Sequence, residues 1–228
     1  MFLDVLVQTL HGALSRYDVA KDYLRSRGVT DEEMVELKLG YSRVISVPKE
    51  ESADYETFAK ETYRGKAFEQ KIIFPIYDPI GRVIGLFGRA IDTKEFKFWL
   101  TEEGKFTGAF VGLFHALPQV YETGKIFVVE GPFDWAAFRK VYKNSVGAMT
   151  AGLSDAQYEI LSFFADKIVT VFDSDKAGSY ATYESQKRWK NVSSVDLGWK
   201  DPNKCLQDMG LTKFTKFIKD KVERKFLF

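Results

Sequence analysis

The sequence predicts an α/β fold, in which a mostly parallel sheet flanked by helices follows a mixed α/β segment. Three observations lead to this prediction. From Ile126 onward, apolar strand-like runs alternate strictly with helical patterns, and this order implies right-handed crossovers between parallel strands. The region before it opens with helical periodicity and then changes to two strand-like runs separated by a turn. Two of the later strands end in acidic residues, where ligands of open α/β sheets bind.

The composition indicates a globular chain with no strong charge. It has 228 residues, 45% of them hydrophobic and 29% charged, and a formal net charge of +1. Binding to nucleic acid would therefore depend on local clusters of cations. No apolar run approaches the roughly 20 residues of a membrane span, and the opening segment lacks the basic stretch of a signal peptide. One cysteine, Cys205, and two histidines exclude an intramolecular disulfide and a Cys/His zinc site. We expect a cytoplasmic protein.

The first third of the chain is predicted to be helical. An amphipathic helix opens the chain, and a second helical run ends at Gly28. Thr30 and Glu33 form a capping-box pattern, which predicts a short helix from Asp31 to about Leu39. Residues 44–66 have little periodicity and are expected to form a loop with one short helix.

Strand-like runs follow at residues 71–77 and 82–87, separated by turn chemistry at residues 78–81. Pro75 lies inside the first run and predicts an edge position or a bulge, because proline has no N–H for a sheet ladder. Later strands are predicted over Ile126–Glu130, Ser145–Met149, Ile168–Asp173 and Val192–Leu197. Helices are predicted over Phe133–Lys143, Ser154–Phe164, Ala177–Lys190 and Lys213–Phe228.

Acidic residues stand at the ends of two predicted strands. Glu130 ends one, with Asp134 in the next helix's first turn, and Asp173 ends another, followed by Asp175. If these strands are neighbours, the carboxylates converge and their pKa values rise until a cation is supplied. Mg²⁺ binds such oxygen ligands together with substrate phosphates. Taken singly, Asp134 is also explained as an acid on the helix dipole and Asp175 as an N-cap. Together the acids predict a divalent-metal site for phosphoryl transfer.

The same residues carry a resemblance to a known family. Residues 130–134, EGPFD, resemble the EGxxD motif of TOPRIM domains, and residues 173–178, DSDKAG, resemble their DxDxxG motif in the form found in primases. Upstream, residues 74–89, FPIYDPIGRVIGLFGR, are similar to the segment that precedes the TOPRIM domain of DnaG-type primases. Lys97-Phe98 and residues 111–114, VGLF, resemble the family's KYLNS and LYGL stretches, although the asparagine of KYLNS is missing.

The resemblance implies the catalytic core of a DnaG-type DNA primase, which synthesises short RNA primers on single-stranded DNA in DNA replication. It implies a primase-core subdomain with the template and nucleotide groove over residues 1–124, a Rossmann-like TOPRIM catalytic subdomain over 125–210, and a C-terminal helix over 211–228. The implied cofactor is Mg²⁺, with Mn²⁺ as an alternative, and the substrates are NTPs. The family's zinc-binding and helicase-binding modules have no counterpart in this sequence. A replicative helicase or a separate zinc-bearing protein is therefore an expected partner, no membrane is involved, and a phage or mobile element is the expected source.

The resemblance also implies the site residues. Four acids are expected to be catalytic: Glu130, Asp134, Asp173 and Asp175. Four are expected to bind metal: Glu130, Asp173, Asp175 and Asp201. Glu130 is either a ligand or the base that deprotonates the primer 3′-hydroxyl, and Asp134 orients the site. The family's third motif, DPD, reads Asp201-Pro202-Asn203 here, so an Asn203 amide replaces one carboxylate, and its role as a ligand stays open.

Basic residues cluster between positions 82 and 105 and are expected to line the groove. Those expected to bind nucleic acid or nucleotide are Arg82, Arg89, Lys97 and Lys105. Arg89 and Lys97 match the family by motif, whereas a solvated charged face is an alternative for Lys105. Three aromatic residues are interleaved with these charges: Phe96, Phe98 and Trp99. They can stack on bases, but we expect at least two of them to pack in the core.

Two other functions stay open at this stage. A TOPRIM nuclease would use the same acids to direct water at phosphorus, but nucleases of this kind lack the block at residues 74–89. A non-catalytic nucleic-acid-binding subunit is the second alternative. It gives no physical reason for keeping four carboxylates that repel one another.

Overall fold

The computed structural model describes residues 2–47, 49–106 and 108–226 and divides into two compact units, residues 1–106 and 107–228. The first unit begins with three helices: α1 (Phe2–Leu14), α2 (Asp18–Ser26) and α3 (Asp31–Glu36). The predicted capping box is present, because Glu33 N–H donates to the Thr30 hydroxyl and Thr30 N–H donates to the Glu33 carboxylate. Helix α3 ends three residues before the predicted Leu39, since Lys38 adopts a left-handed conformation with φ of 51°.

An antiparallel sheet forms the centre of the first unit. Its strands, in spatial order, are β1 (Gly40–Tyr41), β2 (Lys71–Tyr77), β3 (Val83–Ala90) and β4 (Phe96–Leu100). Between β1 and β2 the chain forms α4 (Ala53–Glu61) and a 3₁₀ turn at Lys66–Phe68, and α5 (Glu102–Phe106) follows β4. Strand β2 has its predicted bounds, and β3 continues three residues past the predicted end at Phe87. The sequence predicts neither β1 nor β4.

Pro75 lies in a strand that has neighbours on both sides. Strand β1 pairs only with Ile72 and Ile73, so it does not reach Pro75. The register with β3 shifts at Ile76 and Tyr77, directly after the proline. The predicted edge position is therefore wrong for the strand as a whole but describes its local surroundings, and the predicted bulge is present beside Pro75.

One face of this sheet packs against α1 and α4. Ile73, Leu86 and Trp99 belong to this core together with Phe58 and Phe68. The Phe58 ring stands edge-on to Trp99 with centroids 4.9 Å apart and stacks on Phe68 at 6.0 Å. These ring contacts join the two layers of the unit.

The prediction that at least two of the three β4 aromatic residues pack in the core is wrong. Trp99 is buried, but Phe96 is 58% exposed and Phe98 is 38% exposed. Side chains alternate along a strand, so Trp99 faces the core while Phe96 and Phe98 face the other side. There the Phe96 ring stacks on Phe87 with centroids 5.7 Å apart.

A parallel sheet forms the centre of the second unit, with strand order β6-β5-β7-β8. The elements are α6 (Leu113–Thr123), β5 (Lys125–Val129), α7 (Pro132–Phe138), β6 (Ser145–Gly147), α8 (Asp155–Phe164), β7 (Lys167–Thr170), α9 (Lys176–Arg188), β8 (Val192–Ser194), α10 (Pro202–Met209) and α11 (Leu211–Phe226). All three strand pairings are parallel. The predicted α/β fold class, a mostly parallel sheet with helices that follows a mixed α/β segment along the chain, is confirmed.

Several elements of the second unit differ from their predicted bounds. Helix α7 ends at Phe138 instead of Lys143. Strand β5 ends one residue before its predicted end, and β6, β7 and β8 end two or three residues before theirs. Helices α6 and α10 are not predicted from the sequence. Helix α11 begins two residues before Lys213, and Leu227 and Phe228 of the predicted helix lie outside the described residues.

Helix α6 explains why the compact units divide before residue 107. Its apolar residues Leu113, Leu117 and Val120 pack in the same core as the parallel sheet. The expected functional boundary at residue 124 stays a prediction. Within the described part of the chain, every helix is too short or too polar to cross a membrane.

Gly112 provides a test of the packing between α6 and α7. It precedes α6 with φ of +88°, and a Cβ built there would lie 2.2 Å from the Trp135 ring. The indole is fixed, because its N–H donates to the Ser145 carbonyl over 2.9 Å. We expect Gly112→Ala to lower the free energy of unfolding by about 2–4 kcal/mol through overpacking and backbone strain, measured by urea denaturation. The control is Gly12→Ala inside α1, where a new Cβ meets no atom within 4 Å. Equal stability of the two variants would contradict this account.

Candidate active site

The carboxyl edge of the parallel sheet collects the predicted acids. Glu130 directly follows β5, Asp173 follows β7, and these two strands are paired, which meets the condition for the carboxylates to converge. The main-chain N–H of Asp173 donates to Glu130 Oε1 over 3.3 Å, so the two loops are in direct contact. Asp175 is the N-cap of α9, and Asp201 is the N-cap of α10. The early ends of the strands place the acids in loops beyond the sheet.

Backbone N–H groups hold four of the five predicted site acids in place. Asp175 accepts from Gly178, Asp201 accepts from Lys204, and Glu130 accepts from Asp173. Asp134 uses both oxygens, accepting from Gly131 and from Asn203 at 3.2 Å each. It therefore joins the loop after β5 to the start of α10, a segment that the sequence does not predict as a helix.

Helix capping and a role at the site are compatible for Asp175 and Asp201. Each uses one carboxylate oxygen for its cap. The other oxygen accepts no hydrogen bond from any residue that the structure describes, and the same is true of Glu130 Oε2. These oxygens remain available to a ligand.

Asp173 is the acid with the least favourable surroundings. Its Oδ1 is buried and has no hydrogen-bond partner within residues 2–47, 49–106 and 108–226. The pKa of Asp173 is raised to about 8, chiefly by burial and further by the negative charges of four neighbouring acids: Asp134, Glu130, Asp201 and Asp175. The five carboxylates thus form one electrostatically coupled cluster.

Glu130 is perturbed in the same direction. Burial is the main cause that raises its pKa, and the charges of Asp175 and Asp201 add to this effect. The hydrogen bond from the Asp173 N–H opposes it. A carboxylate with a raised pKa is a better proton acceptor than an ordinary glutamate.

The loop that carries Asp173 and Asp175 is fixed by contacts that the sequence analysis missed. The Ser174 hydroxyl donates to Asp196 Oδ1 over 2.7 Å, and the Gly198 N–H donates to the same oxygen over 2.7 Å. Ser174 N–H also donates to the Lys200 carbonyl. These bonds tie the loop to the segment that leads to Asp201. Asp196 lies 22 residues from Ser174, so no local pattern predicts the pair.

Gly178 allows the start of α9 to approach this loop. A Cβ at Gly178 would lie 2.1 Å from the Asp173 carbonyl oxygen. The glycine of the DxDxxG motif is therefore required by close backbone contact at this position.

Two of the four predicted basic residues, Arg82 and Lys105, form ion pairs within the first unit. The Arg82 guanidinium contacts Asp78 at 2.6 Å and Glu103 at 2.7 Å. Lys105 lies 2.6 Å from Glu102 and 3.8 Å from Glu61. Arg89 forms no ion pair or side-chain hydrogen bond with the residues that the structure describes. Within the described part of the chain, Lys97 donates only to the Glu61 carbonyl, over 3.4 Å.

Arg89 and Lys97 lie on opposite faces of the antiparallel sheet. Arg89 pairs with Phe96, whereas Lys97 pairs with Gly88. Cross-strand partners share a face, and successive residues alternate between faces. The two motif-matched cations therefore do not form one continuous flat surface.

Comparison with known proteins agrees with this arrangement. Residues 9–107 match the family described as DNA primase catalytic core, N-terminal domain, and residues 127–206 match the family described as Toprim-like. The two matches lie in the order predicted from the sequence and cover most of the chain. The chain belongs to the DnaG-type primase catalytic-core family.

Curated members of this family are similar in sequence to most of this chain. The DNA primase of Treponema pallidum is 32% identical over 224 residues, which are 90% of this chain and 36% of that protein. The DNA primase of Thermotoga maritima is 28% identical over 228 residues, covering 91% of this chain and 40% of that protein. The chain thus spans well under half the length of these two relatives.

Solved primase cores share the fold. The Aquifex aeolicus primase structure with zinc-binding and RNA polymerase domains has a TM-score of 0.75 at 23% identity, covering 96% of this chain and 59% of that one. A primase domain from Pseudomonas aeruginosa has a TM-score of 0.74 at 23% identity, covering 96% and 77%.

The Toprim primase family uses divalent metals, and the donor set at the sheet edge fits such an ion. The unpartnered buried oxygen of Asp173 and the second oxygens of Glu130, Asp175 and Asp201 are hard ligands of the type that Mg²⁺ binds. Within the described residues, no three His, Cys, Asp or Glu side chains already stand in a metal-binding arrangement.

The raised pKa of Asp173 predicts a pH-dependent gain in stability for Asp173→Asn. A carboxyl whose pKa rises from 3.8 to about 8 on folding binds protons more tightly in the folded state, so its ionisation destabilises the fold as pH increases through this window. Without metal, the variant should gain on the order of 1–3 kcal/mol at pH 8 and nothing below pH 3.8.

Urea denaturation in the presence of a chelator measures this difference. Asp220→Asn on the exposed side of α11 controls for the loss of one negative charge. A variant that is no more stable than the wild type at pH 8 would show that Asp173 is not destabilised by its neighbours.

Proposed function

We propose that this chain is the catalytic core of a DNA primase, which joins ribonucleotides on a single-stranded DNA template by metal-dependent nucleotidyl transfer. The observation that carries the proposal is the coupled acidic cluster of Glu130, Asp173 and Asp175 at the edge of a Toprim-like sheet. The first unit supports it, because residues 9–107 match the primase-specific domain. The curated relatives are named DNA primase, and one structure of the same fold is a DnaG catalytic domain bound to ssDNA.

We assign metal binding to Asp173 and Asp175, with Asp201 and Glu130 as further candidates. Mg²⁺, or Mn²⁺ as an alternative, would neutralise charge on the nucleotide's phosphates and on the departing pyrophosphate. Asn203 is fully buried, and its backbone N–H holds Asp134. The backbone makes this hydrogen bond, so it does not depend on the Asn203 side chain.

The chain's own groups supply proton transfer and positioning. Glu130 is the candidate base, because its pKa is raised and its Oε2 is available. It would accept the proton of the primer 3′-hydroxyl, whose oxygen attacks the α-phosphorus while the bond to pyrophosphate breaks. Asp134 is a positioning residue, since both of its oxygens accept backbone hydrogen bonds.

The nuclease alternative differs in the group that attacks phosphorus. The same acids would direct water at a phosphodiester, but such an enzyme needs no unit equivalent to residues 9–107. The non-catalytic alternative leaves the buried, unpartnered oxygen of Asp173 without a purpose. Both alternatives predict that no RNA is made.

Template-dependent RNA synthesis therefore tests the proposal. Incubation with single-stranded DNA, NTPs and Mg²⁺ should yield short RNA, and omission of metal should abolish it. Asp173→Ala and Asp175→Ala should each reduce synthesis by more than about 100-fold, the scale of losing a group that stabilises transition-state charge. Asp155→Ala, which removes an acid paired with Arg188, is the control. Cleavage of the template without RNA synthesis would favour the nuclease.

The proposed contacts to nucleic acid or nucleotide remain Arg82, Arg89, Lys97 and Lys105. We expect the cations without an ion pair to contribute more to binding than the paired ones. Arg89→Ala or Lys97→Ala should lower the salt slope of single-stranded DNA binding by about 0.7, the value for one phosphate contact. Arg82→Ala should change the slope less, because Asp78 and Glu103 already neutralise this charge. Fluorescence anisotropy over a range of salt concentrations measures the slopes. Equal slopes for the wild type, Arg89→Ala and Lys97→Ala would remove both residues from the binding surface.

Other expectations stay predictions. These are a replicative helicase or a separate zinc-bearing protein as partner, a cytoplasmic location and a phage source. The relatives named above are bacterial.

A further inference from the structure

The turn after α4 has an unusual backbone. Tyr63, Arg64 and Gly65 follow one another with φ of 53°, 57° and 88°. Positive φ is uncommon for any residue with a side chain and is rarest for bulky ones. Strain of this kind persists only where the surrounding structure enforces it, and it is concentrated at functional positions.

Buried hydrogen bonds enforce the turn. Thr62 is fully buried, and its hydroxyl donates to the Phe58 carbonyl over 2.6 Å and accepts from Gly65 N–H over 2.9 Å. Arg64 N–H donates to the Ala59 carbonyl over 2.7 Å. The turn is therefore anchored to the end of α4 and has one defined shape.

The turn presents an aromatic ring among cations. Tyr63 is 75% exposed, and the side chains of Lys60, Arg64 and Lys66 are exposed around the same open recess. None of these three cations forms an ion pair with any residue in the described ranges. The adjacent acid, Glu61, is directed toward Lys105 at 3.8 Å. The recess thus carries positive charge that the fold does not neutralise.

We propose that residues 60–66 form a contact surface for single-stranded DNA, with a base stacked on Tyr63 and phosphates bound by Lys60, Arg64 and Lys66. The choice of partner rests on the proposed primase function. An exposed ring beside unpaired cations is the combination that binds single strands without regard to sequence, and arginine suits the fork-like binding of phosphate oxygens. A rigid turn supports this use, because it holds the ring outward before the strand arrives.

The role of the ring is tested separately from its effect on the fold. Asparagine tolerates positive φ but does not stack as an aromatic ring does, so Tyr63→Asn should keep or raise Tm. It should weaken binding of labelled oligodeoxythymidine by about fivefold or more, as measured by anisotropy without NTPs. Tyr63→Phe should bind like the wild type. The matched control is Tyr121→Asn, which replaces another exposed tyrosine, 68% accessible, on α6.

The role of the cations is tested by removing three charges together. Replacing Lys60, Arg64 and Lys66 by Gln should lower the salt slope by about two, at about 0.7 per phosphate contact on a single strand. The control replaces three exposed lysines of α11 by Gln: Lys213, Lys216 and Lys219. This control removes the same charge and should leave the slope unchanged.

The outcomes separate this inference from the proposed function. If the wild type binds DNA and both the Tyr63→Asn and the triple variant bind equally well, the surface at residues 60–66 is overturned while the primase proposal stands. The surface would also be overturned if the α11 control lowered the salt slope as much as the triple variant does. The same holds if polyglutamate displaced the labelled oligodeoxythymidine as well as unlabelled oligodeoxythymidine does, because either result would indicate general charge attraction. Absence of DNA binding by the wild type would overturn both.

Discussion

Backbone N–H groups at the carboxyl edge of the parallel sheet hold four carboxylates beside a fifth that has no such support. The pairing of β5 with β7 places Glu130 next to the Asp173 N–H, and the N-termini of α9 and α10 supply the donors for Asp175 and Asp201. Each donor offsets part of the repulsion between like charges. The remaining cost falls on Asp173, whose buried oxygen has no partner in the described part of the chain.

The sequence predicts this cluster because its determinants are local. An apolar run that ends in an acid, followed by glycine and a helical pattern, identifies both loops without knowledge of distant contacts. Parallel pairing then requires only the alternation of strands and helices. Contacts such as Ser174 to Asp196 depend on how β8 returns to the sheet, and no local pattern contains that information. Strand ends are missed for a related reason, since pairing stops at Thr170 although the apolar run continues to Phe172.

The basic segment shows where sequence proximity misleads. Arg82, Arg89, Lys97 and Lys105 lie within 24 residues of one another, yet an antiparallel ladder assigns neighbouring side chains to opposite faces. Two of these cations are neutralised by carboxylates, Arg82 by Asp78 and Lys105 by Glu102. The density of charge along a chain therefore does not measure the positive potential at any one surface. Pairing and strand register decide it, and both require the structure.

The two compact units each retain a local cost that packing alone does not explain. In one unit a buried carboxylate is surrounded by others, and in the other a tyrosine and an arginine are held at positive φ. The first cost would be relieved by a cation, because added positive charge removes the repulsion. The second cost belongs to the turn itself, since the bonds of Thr62 hold the backbone in this shape. Strain of this kind acts beforehand: it fixes the ring outside the fold, so that a partner which stacks on it has less conformational freedom to remove.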